Sequence, residues 1–443
     1  MGEAVGRPHP AAHPRGAATR QDGRLPLIQF VDRPGILDLA WGHPDPALLP
    51  TEAWAEASAS TLRRHGWQAL TYGWAAGPAP LIEWLCDRLG VVDGRRPVED
   101  EMVVTAGASA ALHLVTSLLT RPGEVALVEA PSYHLAHRIL ADGGLHVMPV
   151  RLTAPDAAGA SGGIDDAGGI DDAGDSGHAG DALRAAVELQ RAAGRRVALL
   201  YTVPTFNNPT GASLTPGART SLVAAAAALG VLIVEDDTYR ELAYDGPAPP
   251  SLYSEGAPGA IVRVGSFAKS VAPGLRLGFL TGGTDLAARL VASGVLDSGG
   301  GLNHSVALTM ATFGASGAFD RHLAVARDAY RERRDLLVTS LVKAVAAAAP
   351  GSVRLAGDPP AGGWFLWLRL AEGRSAAALL PAAEAAGTSF LPGATFYAGA
   401  PDDSHIRLSF SHLPPPSLTE AAHRLARALA AAPTDTTGGA IDH

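Results

Sequence analysis

Cysteine is nearly absent. Cys86 is the only one in 443 residues, which excludes an internal disulfide and a cysteine-rich metal site and fits a reducing compartment. There is no basic excess: a net charge of −9 and a pI near 5.9 leave no electrostatic footprint for a nucleic acid. Long apolar runs are missing too. The longest, Leu222 to Val234, is interrupted by Gly230 and is too short to span a bilayer. Met1 to Arg24 holds no apolar segment of the kind a secretory signal needs. No strand-linked Gly-x-Gly-x-x-Gly fingerprint of dinucleotide binding occurs. The expectation is a cytoplasmic protein with no nucleic-acid, membrane or metal partner.

What remains is a globular composition, 47% hydrophobic and 18% charged, in a chain long enough for two or three core-forming units. Residues 1–35 read as an arm, loose up to Arg24, and 433–443 as a frayed tail. Between them short β-rich runs alternate with helical patterns. The runs are Met102–Thr105, Val125–Val128, Val147–Leu152 around Pro149, Val197–Tyr201, Val231–Val234, Ile261–Val264 and Leu277–Thr281. They predict an α/β fold whose large unit, 36–309, holds a mostly parallel seven-stranded sheet flanked by helices. Active residues then belong at strand ends.

From about residue 310 the pattern changes to a long polar helix, Phe319–Ala348, β-like Ser352–Leu355 and Trp364–Leu368, helical Ala376–Ala386, β-like Ser389–Leu391 and His405–Phe410, and a last helix through Ala431. This is a second, smaller α/β unit, 310–432, and the cleft between the units is the natural substrate site. Residues 156–180 carry a direct repeat of Gly-Ile-Asp-Asp-Ala-Gly at 163–168 and 169–174. That composition cannot bury a core and reads as an expanded surface loop; it lacks the ligand spacing of a calcium loop.

The chemistry lies in an ordered set of short motifs: Asn208-Pro209-Thr210-Gly211, then Asp236-Asp237-Thr238-Tyr239, then Ser266-Phe267-Ala268-Lys269, then Arg276. They supply what pyridoxal 5'-phosphate needs: an amine for a Schiff base, a carboxylate for the pyridine nitrogen, donors for the phenolic oxygen, and cations or hydroxyls for the phosphate. Each motif alone is common; the four in this order are not. Thr105-Ala106-Gly107-Ala108-Ser109 follows a strand and opens a helix, so its amides can face an anion.

Together these motifs resemble the fold-type-I pyridoxal phosphate enzymes, specifically the class I/II aminotransferase family in its 2-aminoadipate and broad-range transaminase-like branch, over Ile36 to Leu429. The resemblance implies a homodimer with active sites at the subunit interface and a small domain built from both chain ends. It implies Lys269 as the Schiff-base lysine and α-proton base, and Asp236 as partner of the ring nitrogen. The family's three-residue spacing to tyrosine selects Asp236 over its neighbours Glu235 and Asp237. Tyr239 and Asn208 would hold the phenolic oxygen, Tyr133 would stack on the ring, and Ser266 and Arg276 would complete a phosphate cup with Gly107, Ala108 and Ser109. The family commonly has Gly-Ser-Gln at that last position, so one side-chain donor is lost or moved to Ser109.

Tyr72 resembles the tyrosine that crosses the dimer interface to the phosphate, and Trp74 behind it is either a pocket rim or simple packing. Gly42 resembles the N-terminal glycine whose backbone lies near substrate, and His43 beside it either faces the substrate or is a surface histidine, the second reading being favoured. Arg407, in His405-Ile406-Arg407-Leu408-Ser409-Phe410, resembles the arginine that grips the substrate α-carboxylate, for which a planar bidentate fork is suited. The small-domain motifs Pro360–Gly363 and Pro392–Phe396 favour it over Arg354 or Arg369. The leading expectation is an aminotransferase acting on an L-amino acid and a 2-oxo acid. An elimination, decarboxylation, cyclisation or oxidation on the same scaffold is the alternative. A ligand-sensing regulator is remote, because the segment before Ile36 is too short and proline-rich for a helix-turn-helix domain.

Overall fold

The computed structural model describes residues 33–153 and 177–432. In chain order its strands are β1 Leu37–Asp38, β2 Met102–Thr105, β3 Val125–Glu129, β4 His146–Val150, β5 Val197–Thr202, β6 Leu232–Asp236, β7 Ile261–Ser266, β8 Gly278–Thr281, β9 Val353–Leu355, β10 Phe365–Leu370, β11 Thr388–Ser389, β12 Leu391–Pro392 and β13 His405–Ser409.

Seven of these form the large sheet, in the order β2-β8-β7-β6-β5-β3-β4. All neighbours pair in parallel except at β8, which runs antiparallel to β2 and β7. Parallel pairing requires crossovers, supplied by helices such as Ala108–Leu119, His134–Asp142, His178–Ala192 and Pro216–Leu229. The sheet is covered on both faces, which is why its strands are nearly all apolar. Alternation divides the two sides: on β3, Ala126 and Val128 join one core cluster while Val125 and Leu127 join the other. The edge position of β4 explains how Pro149 is tolerated within a strand.

Local signals set the crossover helices. In Pro216–Leu229 the Thr215 hydroxyl accepts from the Ala218 amide at 3.2 Å, Pro216 occupies the first turn, and Gly230 ends the helix at φ 67°. The expected loop at 156–180 falls largely outside the described residues. Its end needs correction, since His178–Gly180 already form the first turn of the helix His178–Ala192.

The smaller unit is a four-stranded antiparallel sheet, β12-β13-β10-β9. The helices Ala318–Ala348, Ala376–Ala385 and Pro415–Ala431 share its hydrophobic core. The β-like run around residue 390 divides there: Thr388–Ser389 pairs with β1, and Leu391–Pro392 pairs with β13. The N-terminal segment is thereby stitched to the C-terminal unit. Among the described residues no helix is long and apolar enough to cross a membrane.

Candidate active site

The chain has just two lysines, Lys269 and Lys343. Lys343 is exposed on the long helix Ala318–Ala348. Lys269 stands three residues past the end of β7, and its Nζ donates to the Gly42 carbonyl at 3.0 Å and lies 4.6 Å from the centre of the Trp364 ring. Burial pulls its pKa down to about 8, the Arg407 charge adds to the fall, and Asp236 partly opposes it. A far larger fraction of this amine is therefore free near neutral pH than for an exposed lysine.

Strand alternation sorts the three acidic residues at the end of β6. Glu235 turns into the fold, accepting from Ser251 Oγ at 2.6 Å and from the amides of Leu252 at 3.0 Å and Tyr253 at 3.1 Å. Asp237 accepts from Arg240 and Arg263, each at 2.6 Å, and both arginines also reach Asp93. Burial alone would raise the Asp237 pKa, but the two guanidinium groups hold it below its ordinary value. Asp236 lies on the other face. Its Oδ2 accepts from the Tyr201 hydroxyl at 2.7 Å and its Oδ1 from the Thr238 amide at 3.2 Å and the Thr238 hydroxyl. Burial raises its pKa, with the Thr238 and Tyr201 hydrogen bonds working against the rise.

Arg407 projects from β13. Its Nη1 donates to Asn208 Oδ1 at 2.9 Å, its Nη2 to the Ala40 carbonyl at 2.5 Å, and its guanidinium lies 4.2 Å from the Phe365 ring centre and 5.0 Å from that of Phe396. Nε is buried with no hydrogen-bond partner among the described residues. Burial lowers the Arg407 pKa to about 10. Of the rival arginines, Arg354 donates to the Leu355 carbonyl at 3.3 Å, and Arg369 pairs with His405, two positions along the strand from Arg407. Asn208 is presented by a turn that needs glycine. Gly211 sits at φ 72°, and a Cβ there would come within 2.8 Å of the Phe365 carbonyl oxygen. Tyr239 is buried edge-on to Trp364 and Phe365, at 5.9 and 5.8 Å.

The end of β2 leads into a helix N-terminus. Gly107 at φ 89° begins the helix Ala108–Leu119, whose first-turn amides at Ala108, Ser109 and Ala110 precede the first intrahelical bond, Ala111 N to Gly107 O at 3.1 Å. Arg276 approaches from the other side: its Nη2 is 3.5 Å from the Ala106 carbonyl, and a Cβ on Gly107 would come within 3.4 Å of that nitrogen. Asn303 holds the Arg276 carbonyl. Ser266 Oγ accepts from the Ala268 amide at 3.2 Å. Tyr133 precedes the helix His134–Asp142, and its pKa is raised by burial first and by the Asp236 charge second.

Two residues depart from the picture of one enclosed pocket. His43, expected at the surface, is half-buried: burial and then the Lys269 charge lower its pKa to about 4, so it is neutral at physiological pH. Tyr72 is 82% exposed, in an apolar patch with Trp67 (74%), Leu70 (72%) and Trp74 (79%). Tyr201, Thr238 and Trp364 are additions that motif reading did not single out. The one sequence signal for Lys269 left unused was the rarity of lysine.

The family profile described as Aminotransferase class I and II matches residues 34–425. A 2-aminoadipate transaminase of Thermus thermophilus is 34% identical over 409 residues, 91% of this chain and 92% of its own. Among solved structures, the Pyrococcus horikoshii kynurenine aminotransferase in complex with PMP gives a TM-score of 0.77 at 26% identity, over 89% of this chain and 91% of that one. LysN, an alpha-aminoadipate aminotransferase from Thermus thermophilus complexed with N-(5'-phosphopyridoxyl)-L-leucine, gives 0.72 at 30% identity, over 89% and 92%.

Proposed function

Since this chain belongs to the aminotransferase class I and II family and is a pyridoxal 5'-phosphate-dependent transaminase, we propose that it moves an amino group between an L-amino acid and a 2-oxo acid with Lys269 as its reactive amine. The observation that carries this is the convergence of a depressed-pKa lysine, an inward-facing Asp236 and the Arg407–Asn208 pair on one pocket.

The residues fit the cofactor. The first-turn amides at Ala108 and Ser109, with Gly107, Ser266 and Arg276, suit a phosphate; Asp236 suits a protonated ring nitrogen, Asn208 and Tyr239 a phenolic oxygen, and Tyr133 a ring face. When bound, the cofactor supplies an aldehyde for amines and a ring that accepts the electrons released at the substrate α-carbon. Lys269 takes the α-proton and returns it, for which its pKa of about 8 is matched to the working pH. Arg407 grips the α-carboxylate with its unpartnered Nε and an adjacent Nη hydrogen, which fixes the angle of the α-proton. The Gly42 backbone lies along that path: its carbonyl meets Lys269, and a Cβ there would approach Phe365 Cζ to 2.9 Å.

The first substrates to test are 2-aminoadipate and kynurenine, after which two of the similar proteins are named. The exposed patch of Trp67, Leu70, Tyr72 and Trp74 suits a homodimer interface that carries Tyr72 to a second copy's phosphate site. The unit boundary near residue 310 and the cytoplasmic location belong to the same proposal.

Borohydride reduction of the holoenzyme and peptide mapping test the central assignment. The pyridoxyl group is expected on Lys269. Its recovery on Lys343, or on no lysine, overturns the reading.

A further inference from the structure

We propose that Tyr201 is a positioning residue for this reaction: its phenol fixes the orientation and charge of the Asp236 carboxylate, through which it governs the proton on the cofactor's ring nitrogen. The inference rests on the Asp236 role proposed above and deepens it.

Tyr201 lies on β5, beside β6, in register with Val234. Alternate residues of a strand share a face, so Asp236, two positions beyond Val234, emerges on the same side as Tyr201. The Tyr201 ring is buried in the core with Leu199, Val234 and Val264. Packing alone would be met there by phenylalanine, whereas a buried phenol needs a hydrogen-bond partner. That partner is Asp236 Oδ2, at 2.7 Å.

The two carboxylate oxygens are held differently. Thr238 satisfies Oδ1 from two residues away, a local bond that shapes the turn. Tyr201 holds Oδ2 from another strand and so ties the carboxylate to the sheet. Oδ1 accepts two bonds and Oδ2 only one, so Oδ2 keeps a lone pair with which the group can accept from a ring nitrogen.

Several groups face Asp236. They are Tyr201 from β5, Tyr133 from the start of the helix His134–Asp142, Lys269 from beyond β7, and Thr238 and Tyr239 from the end of its own strand, while the Asp237 charge acts on it from the opposite face. Burial and the Asp237 charge favour the neutral acid, and the Thr238 and Tyr201 bonds favour the carboxylate. Burial and the Asp236 charge push the Tyr201 pKa far above its ordinary value, so the phenol remains a donor throughout the working range.

The test is an NMR titration of the holoenzyme loaded with cofactor isotopically labelled at the ring nitrogen, which reads that nitrogen's protonation without turnover. Losing one hydrogen bond to a charged group corresponds to about 1–2 pH units. In Tyr201→Phe the Asp236 carboxylate becomes the stronger base, so the ring-nitrogen proton paired with it should be lost up to about 1–2 units higher than in the natural protein. Replacing Tyr201 by ortho-fluorotyrosine keeps the shape and makes a stronger donor, and should move the titration the opposite way, which covers the case in which Tyr201→Phe does not fold. Asp236→Asn separates the two proposals. If it leaves the nitrogen protonated, the Asp236 role falls and this inference with it. If it removes the protonated signal while the Tyr201 variants titrate like the natural protein, Asp236 stands and Tyr201 is packing only.

Discussion

Asp236 and Asp237 are adjacent and opposite in purpose, so replacing each by alanine should produce opposite phenotypes. Asp93, Asp237, Arg240 and Arg263 form a buried set of two carboxylates and two guanidinium groups, with Asp237 accepting from both arginines at 2.6 Å. Asp237→Ala leaves one buried positive charge without its counter-ion. Breaking a buried pair this way costs about 3–5 kcal/mol. At about 2–4 °C per kcal/mol for a sizeable unit, that is a thermal midpoint lower by roughly 6–20 °C. The Asp237 variant that remains folded should keep its cofactor absorbance and much of its turnover.

Asp236→Ala should do the reverse. Burial raises the Asp236 pKa, so the ionised group at neutral pH is a cost to the cofactor-free fold, and removing it should leave the thermal midpoint unchanged or higher. Loss of a preorganised charge at the reacting centre should lower kcat by about 10²–10³-fold. Thermal unfolding of both cofactor-free variants, with kcat and the holoenzyme spectrum, decides the matter. A stable but inactive Asp237 variant beside an unstable but active Asp236 variant would refute the assignment of the two faces of β6.

Arg407→Lys should weaken every accepted amino acid and oxo acid together with little change in the cofactor spectrum, and Arg407→Ala should cost about 2–5 kcal/mol in kcat/KM; normal affinity for carboxylate substrates in either variant would point to amines without that group. Reconstitution of the cofactor-free protein should quicken about tenfold per pH unit up to about 8 and then level off, because only the free Lys269 amine reacts. Stopped-flow absorbance would show this, and a break near the ordinary lysine value of 10.5 would mean the amine is not perturbed.

The large sheet was readable from sequence because each strand is a short Val-, Leu- or Ile-rich run bounded by turn residues, and Met102–Thr105 was delimited to the residue. The motifs at Asn208, Asp236 and Lys269 were readable because local chain geometry demands glycine, proline or a strand end beside each. Long-range pairing was not. Nothing in Thr388–Pro392 announces that the chain leaves β1 at Phe390 to join β13. His43 looks like a surface residue in its own segment and is half-buried in the fold, where the Lys269 charge reaches it from beyond β7. Tyr201 reads as one more core aromatic until the register with β6 places Asp236 within reach of its hydroxyl.

The stretch from Leu37 to Gly42 is held at several points. The amides of Leu37 and Leu39 donate to Gly387 and Ser389, the Leu39 carbonyl receives Ser409, that of Ala40 receives Arg407, and that of Gly42 receives Lys269. Six consecutive residues thus join the proposed carboxylate grip to the reactive amine, like a clasp spanning two halves of a case. Lifting this clasp slackens both ends of the pocket at once, so local opening here is a cooperative event rather than piecemeal loosening. The pace of ligand escape is then tied to how firmly one short edge of the molecule is fastened.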